Sequence, residues 1–181
     1  MQQRILAREA VQKVGETVLL KGWVNARRTM GKVAFFDLRD RSGTVQVVVV
    51  PSELDEASLA IMNDVRPEYV LEIAGEVKSR GEKQVNPDML TGTIEVLAKT
   101  IRILNTAETP PFEIDKDTSG ISEELRLKYR YLDLRTQRMQ RNIRLRDHII
   151  SFFRDYMHRH DFVEIETPIL KKGTPEGTRE Y

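Results

Sequence analysis

The 181-residue sequence contains no cysteine. Disulfides, thiolate zinc sites and cysteine nucleophiles are therefore excluded from this chain. The sequence also lacks any run of about 18 apolar residues, the minimum for a membrane-spanning helix. The N-terminus, Met1-Gln2-Gln3-Arg4-Ile5, lacks the apolar core of a signal peptide. These absences predict a cytoplasmic protein without a membrane segment.

Familiar catalytic motifs are missing as well. There is no Walker-type glycine-rich loop and no G-x-S-x-G elbow. The three histidines form no recognisable metal or triad set, and His158 and His160, two apart, point away from each other on a helix. Glu164 and Glu166 alternate with apolar residues, as in a half-exposed strand. The sequence therefore assigns no catalytic residue and no metal ligand.

Charge is unevenly distributed although the net charge is only +1. Residues 1–50 hold nine Lys/Arg and four Asp/Glu, a net charge of +5, whereas residues 51–104 hold six and ten, a net charge of −4. Residues 126–159 hold ten basic and three acidic residues, a net charge of +7. Basic regions of this kind suit an anionic polymer, although solvated charged surfaces are also common.

The first hundred residues are rich in β-forming residues separated by turn signals. Five strands are predicted, at 17–25, 33–38, 44–50, 69–77 and 92–97. A helix opening at Pro51, with Ser52 as its cap, is predicted between the third and fourth strands. The order β-β-β-α-β-β predicts an all-β, five-stranded OB-fold barrel, a fold that binds oligonucleotides. A small SH3-like barrel or an open sheet would show a similar pattern.

The remaining residues predict a linker and the start of a second domain. Residues 105–120 are rich in turn formers, and Ser122 resembles a helix cap. An amphipathic helix is predicted from Arg138 to about His160, followed by a strand over 161–165. The predicted divisions are a barrel domain over residues 1–104, a linker over 105–136 and the start of a second domain over 137–181.

One face of the predicted barrel carries residues suited to single-stranded nucleic acid. Phe35 and Phe36 are adjacent in a strand, so one enters the core and the other is free to stack on a base. Gln46 offers an amide to a base edge. Basic residues precede this strand and could contact phosphates or bases: Arg27, Arg28 and Lys32. A core aromatic, a solvated turn and a neutral surface amide are the alternative interpretation.

Longer strings resemble one family, the bacterial-type aspartyl-tRNA synthetases of class IIb. The matching segments are GWVNARR (22–28), AFFDLRDRSGTVQVV (34–48), TGTIEVLA (91–98), LRLKYRYLDLR (125–135), DFVEIETPIL (161–170) and TPEGTREY (174–181). The resemblance implies an anticodon-binding OB domain followed by the start of an α+β class II catalytic domain. One departure is Thr178-Arg179-Glu180-Tyr181, where the family usually has Ala-Arg-Asp-Tyr.

The resemblance also implies roles for individual residues. Phe35 would stack on the central anticodon base, Gln46 would read that uridine, and Arg28 would contact the same patch. Arg80 and Glu95 would contact the flanking anticodon bases.

Four further residues match family positions outside that patch. Pro168 matches the proline of motif 1, which implies a homodimer interface, and Glu176 matches a loop residue that recognises the aspartate ammonium group. Met30 and Gln84 occupy the regions linked to discrimination between tRNA-Asp and tRNA-Asn. Met30 favours the discriminating pattern, and Gln84 does not decide between the two.

The implied reaction is ATP-dependent attachment of L-aspartate to tRNA-Asp through aspartyl-adenylate. Motifs 2 and 3, which would hold ATP and Mg²⁺, are absent from these residues, so the 181-residue chain alone is expected to be inactive. Arg126, Lys128 and Arg130 are predicted to support passage of the tRNA, or else to form an interdomain joint.

Three rival interpretations remain: a single-strand-binding OB protein that is not an enzyme, a different class IIb synthetase, and a structural dimerisation module. Within the favoured interpretation, an enzyme of relaxed specificity that also charges tRNA-Asn remains an alternative.

Overall fold

The computed structural model describes residues 3–170 and divides between Thr136 and Gln137 into two compact units. Five strands in the first unit close into a barrel in the order β1-β2-β3-β5-β4. The strands are β1 (Thr17–Met30), β2 (Val33–Asp40), β3 (Gly43–Val49), β4 (Val70–Ser79) and β5 (Ile94–Asn105). All pairings are antiparallel except that of β3 with β5. The predicted OB-fold barrel is confirmed.

Strict alternation of side chains builds the barrel core. On β2, Ala34, Phe36 and Leu38 are buried inside, whereas Phe35 and Asp37 lie on the outer face. The other strands contribute mainly valine, leucine and isoleucine, whose shapes suit a pleated, buried surface. A Cβ at Gly75 of β4 would lie 2.5 Å from the carbonyl oxygen of Leu97, so the close approach of β4 to β5 requires glycine there.

One α-helix, α1 (Glu56–Ile61), lies between β3 and β4. The prediction that Ser52 caps this helix is wrong, because Ser52 lies in a short 3-10 helix (Pro51–Glu53) that precedes it. The cap of α1 is Asp55, whose side chain accepts a hydrogen bond from the Ser58 N–H at 2.8 Å. The Ser58 hydroxyl ties α1 to the backbone of Ile101 on β5.

Two further 3-10 helices were not predicted. The first, Ala7–Gln12, packs Ala7 and Ala10 against the barrel core. The second, Glu82–Gln84, lies between β4 and β5.

The predicted linker is an ordered part of the first unit. Phe112 and Ile114 pack with Leu132 into a small hydrophobic cluster of their own. Two short helices follow, α2 (Glu123–Lys128) and α3 (Arg130–Asp133). The predicted cap Ser122 is confirmed, since its hydroxyl accepts from the Leu125 N–H at 3.3 Å.

Among its described residues, the second unit contains one long helix, α4 (Gln137–Arg159), as predicted. The strand predicted over 161–165 is wrong, because a strand needs a hydrogen-bonded neighbour and residues 3–170 provide none for this segment. Within residues 3–170, every helix is too short or too polar to cross a membrane.

Candidate nucleic-acid interface

A connected set of polar side chains lies on the outer face of β1, β2, β3 and β5 and at the residue that follows β4. Arg28 donates from Nη2 to Asp37 Oδ1 at 2.9 Å and to Gln46 Oε1 at 3.4 Å. Gln46 in turn donates from Nε2 to Glu95 Oε2 at 3.3 Å. The guanidinium of Arg80 completes the chain, with Nε lying 3.6 Å from Glu95 Oε2. We call these five residues the polar chain.

Strand register explains why these residues meet. The two-residue turn after β2 pairs Asp40 with Gly43, which places Asp37 opposite Gln46. Directly paired residues share a face of the sheet. Four of the five predicted anticodon contacts, Arg28, Gln46, Arg80 and Glu95, are therefore brought together by the barrel.

Phe35, the fifth predicted contact, lies beside the polar chain. It pairs with Arg28 on β1 and with Val48 on β3, so all three lie on one face. Its ring is half-buried, whereas Phe36 is 0% exposed in the core. The predicted division between an outer and an inner aromatic is confirmed, and Phe35 is the one available to stack on a planar ring.

Arg80 is unusual because its side chain is only 5% exposed yet has spare donors. Its Nη1 donates to the backbone oxygen of Gln84 at 3.4 Å. Its Nε and Nη2 are buried, and among residues 3–170 they have no hydrogen-bond partner. Buried donors are normally satisfied, and here the nearby Glu95 carboxylate, 3.6 Å from Nε, compensates the charge of the guanidinium.

The electrostatics of Asp37 reflect competition between burial and ion pairing. Burial raises the pKa of the Asp37 carboxyl, and the charges of Arg28 and Arg80 oppose that rise. Asp115, from the segment after the barrel, adds to the rise in the Asp37 pKa by like-charge repulsion. The carboxylate is therefore kept beside the Arg28 guanidinium at the cost of partial desolvation.

The two residues predicted to discriminate between tRNAs lie outside the polar chain. Met30 is 75% exposed at the end of β1. Gln84 is exposed at the end of its 3-10 helix, and its backbone contacts Arg80.

The three basic residues predicted to support tRNA passage differ in their surroundings. Arg126 and Arg130 both contact Asp133, whose side chain is fully buried, and the Arg126 side chain is only 19% exposed. Lys128 lies over the ring of Tyr129, with Nζ 5.6 Å from the centroid. Part of this group thus has a structural role in α2 and α3.

Two more predicted residues are distant in sequence from the barrel. Pro168 is exposed in the segment after α4. Glu176 lies outside the described residues.

Sequence reasoning missed two features of the first unit. Asp37 was not singled out, although counting back from the turn after β2 would have placed it opposite Gln46. The second is a buried ion cluster in which Glu68 accepts from Arg39 at 3.0 and 3.2 Å and pairs with Arg135 at 2.7 Å. No sequence signal connects these three residues.

Among residues 3–170, no group of three or more acidic or histidine side chains is placed to hold a metal ion.

Two family descriptions match this chain. Residues 18–104 match "OB-fold nucleic acid binding domain", and residues 122–181 match "tRNA synthetases class II (D, K and N)".

Curated relatives resemble the chain over its whole length. It is 50% identical to the aspartate–tRNA ligase of Oceanobacillus iheyensis, covering 100% of this chain and 30% of that protein. It is 49% identical to the aspartate–tRNA(Asp/Asn) ligase of Halothermothrix orenii, covering 95% of this chain and 29% of that protein. The chain therefore spans about 30% of the length of these relatives.

Solved structures agree with these matches. An asparaginyl-tRNA synthetase from Pyrococcus horikoshii, complexed with asparaginyl-adenylate, superposes with a TM-score of 0.81 at 26% identity, covering 98% of this chain and 39% of the other. A putative aspartyl-tRNA synthetase from Leishmania major gives 0.77 at 27% identity, covering 92% and 34%.

Proposed function

Since this chain belongs to the bacterial-type aspartyl-tRNA synthetase family, we propose that the protein of which it forms part attaches L-aspartate to tRNA-Asp in the cytoplasm. ATP would activate aspartate as aspartyl-adenylate, and the 3′ end of the tRNA would then attack the carbonyl. The protein would act as a homodimer, with the segment around Pro168 at the interface and Glu176 near the aspartate. Residues 1–104, 105–136 and 137–181 remain the predicted domains.

Within this function, the barrel reads the anticodon. The observation that supports this role is the polar chain beside Phe35 on one outer face. Phe35 would stack on the central base, a contact that contributes about 1–3 kcal/mol in single-strand-binding proteins. Gln46 would pair with the edge of that base, while Arg28, Arg80 and Glu95 would contact it and its neighbours.

Binding to synthetic anticodon stem-loops tests the proposal. The 181-residue chain is titrated at fixed salt with stem-loops carrying GUC, GUU and GCC. We expect GCC to bind about tenfold or more weakly than GUC, because one lost base-specific contact costs about 1–3 kcal/mol. Equal, salt-sensitive binding to all three would favour the rival OB protein that binds any single strand.

The same titration addresses relaxed specificity. Relatives named for tRNA-Asp alone and for tRNA(Asp/Asn) are 50% and 49% identical to this chain, so overall identity does not separate the two. The bulky, exposed Met30 favours discrimination. A GUC-to-GUU affinity ratio near one would instead support an enzyme that also charges tRNA-Asn.

ATP and Mg²⁺ are proposed for the whole enzyme, with their ligands outside this chain. The 181-residue chain is therefore expected to give no aspartate-dependent pyrophosphate exchange, and measurable exchange would contradict that expectation. Passage of the tRNA past Arg126, Lys128 and Arg130 is tested by neutralising all three charges. An unchanged affinity for tRNA and an unchanged salt slope would leave them as a structural joint.

A further inference from the structure

The side-chain amide of Gln46 is held at both of its ends. Its oxygen accepts from Arg28 Nη2 at 3.4 Å, and its nitrogen donates to Glu95 Oε2 at 3.3 Å. Each of these contacts leaves one hydrogen-bonding position of the amide unused, since the oxygen has a second lone pair and the nitrogen a second hydrogen.

The chemistry of the two neighbours permits only one orientation of this amide. A guanidinium has donors and no acceptors, whereas a carboxylate has acceptors and no donors. The amide oxygen must therefore lie on the Arg28 side and the amide nitrogen on the Glu95 side. With only water as a neighbour, the same amide could rotate by about 180° and exchange its donor and acceptor.

Both neighbours are themselves held in place. Asp37 accepts from Arg28 at 2.9 Å, and its side chain is only 13% exposed. On the other side, Arg80 lies 3.6 Å from Glu95, with its own side chain 5% exposed. Asp37 and Arg80, the two ends of the polar chain, are more buried than the residues they contact. The side chain of Arg28, which Asp37 holds, is 58% exposed, and that of Glu95, which Arg80 holds, is 27% exposed.

We propose that Asp37 is a positioning residue that, through Arg28, fixes the orientation of the Gln46 amide and thereby makes it select uracil over cytosine. This proposal rests on the proposed reading of the central base by Gln46. Uracil offers an acceptor at O4 and a donor at N3, while cytosine offers a donor at N4 and an acceptor at N3. A fixed amide pairs with only one of these patterns, whereas a rotating amide pairs with both.

The decisive experiment measures the GUC-to-GCC affinity ratio of Asp37→Ala. Removing the carboxylate releases Arg28, so the ratio is expected to fall by about tenfold, the factor that corresponds to one lost base-discriminating contact. The fall should come mainly from tighter relative binding of GCC. General damage to the site would weaken both stem-loops together and leave the ratio unchanged, which would overturn the proposal.

Glu95→Gln provides a second test that does not depend on the folding of the first variant. A glutamine at position 95 can face Gln46 with either its oxygen or its nitrogen, so this neighbour no longer forces the orientation, although the side chain keeps its size. Arg28 alone then restrains the amide. The GUC-to-GCC ratio should fall here too, and an unchanged ratio in the folded protein would overturn the proposal.

Glu72→Gln is the matched control, because Glu72 is a strand carboxylate in an ion pair with Lys21 at 2.6 Å, outside the polar chain. Its ratio should equal that of the wild type, and an equal fall would refute a specific role for Asp37. A wild type without any preference for GUC would refute the proposed anticodon reader itself, so the two failures are distinguishable.

Discussion

At the scale of single residues, the alternation of side chains along β2 separates recognition from stability. Phe35 and Phe36 are chemically identical neighbours, but one lies on the outer face and the other in the core. The sequence predicted this division because period two is a fixed property of strands. It did not predict the ion pair of Asp37 with Arg28, since a single carboxylate in a strand has no pattern of its own.

The two phenylalanines therefore predict opposite effects. Phe35→Ala should weaken GUC stem-loop binding by about 10- to 100-fold, because base stacking contributes about 1–3 kcal/mol. Its free energy of unfolding should change little. Phe36→Ala should instead lower the free energy of unfolding by about 3–5 kcal/mol through loss of core packing. Filter binding and urea denaturation measure the two effects, and a large loss of stability in Phe35→Ala would contradict the assignment of faces.

The buried position of Asp37 is expected to lower the stability of the fold at neutral pH, although its carboxylate orients Arg28 for recognition. Its folded-state pKa is raised by burial, so ionising it destabilises the fold. The protonated Asp37 carboxyl contributes to the stability of the fold. This contribution is complete below the unfolded-state pKa of about 3.9, and it is lost as the pH rises through the higher folded-state pKa. Asp37→Asn should therefore gain stability relative to wild type between acidic and neutral pH. Urea denaturation from pH 3 to pH 7 measures this, and a relative loss on raising the pH would contradict it.

At the scale of elements, strands were predicted better than their ends or their helical connections. The five strands were found, but β1 extends to Met30 and β5 to Asn105, well beyond the predicted limits. Pairing with neighbouring strands extends both, and this tertiary effect is invisible in local composition. The predicted strand over 161–165 fails for the converse reason, because its alternating pattern has no paired neighbour within the described residues.

The attachment of α1 to the barrel predicts that Ser58, and not Ser52, contributes to the stability of the fold. Ser58 is 1% exposed, and its hydroxyl accepts from the Ile101 N–H at 2.6 Å while donating to the Ile101 oxygen at 3.2 Å. Ser58→Ala leaves both buried backbone groups unpaired and should lower the free energy of unfolding by about 1–3 kcal/mol. Ser52→Ala, at the wrongly predicted cap, should have no measurable effect in the same urea titration. Equal effects would contradict this account of α1.

At the scale of the whole molecule, the sequence predicted the order of the parts but not how the barrel is joined to the residues after it. Turn formers such as Pro110 and Pro111 led to a linker prediction, although Phe112 and Ile114 are buried with Leu132. Apolar residues spaced without helical or strand period carry no secondary-structure signal. The packing that orders this segment is therefore decided by tertiary contacts alone.

Glu68 provides the strongest test of that joint. It is 6% exposed, adopts a left-handed backbone with φ of 68°, and pairs with Arg39 of the barrel and with Arg135 near the end of the first unit. Burial lowers the pKa of Arg39, and Glu68 opposes that effect. Glu68→Gln would leave a partly buried guanidinium without its counter-charge, which should lower the free energy of unfolding by about 3 kcal/mol.

Glu53→Gln, which breaks the exposed pair with Lys99, is the control and should leave the urea midpoint unchanged. Equal midpoint shifts in the two variants would mean that the buried cluster does not hold the joint, and the hydrophobic cluster around Phe112 would then be its main support.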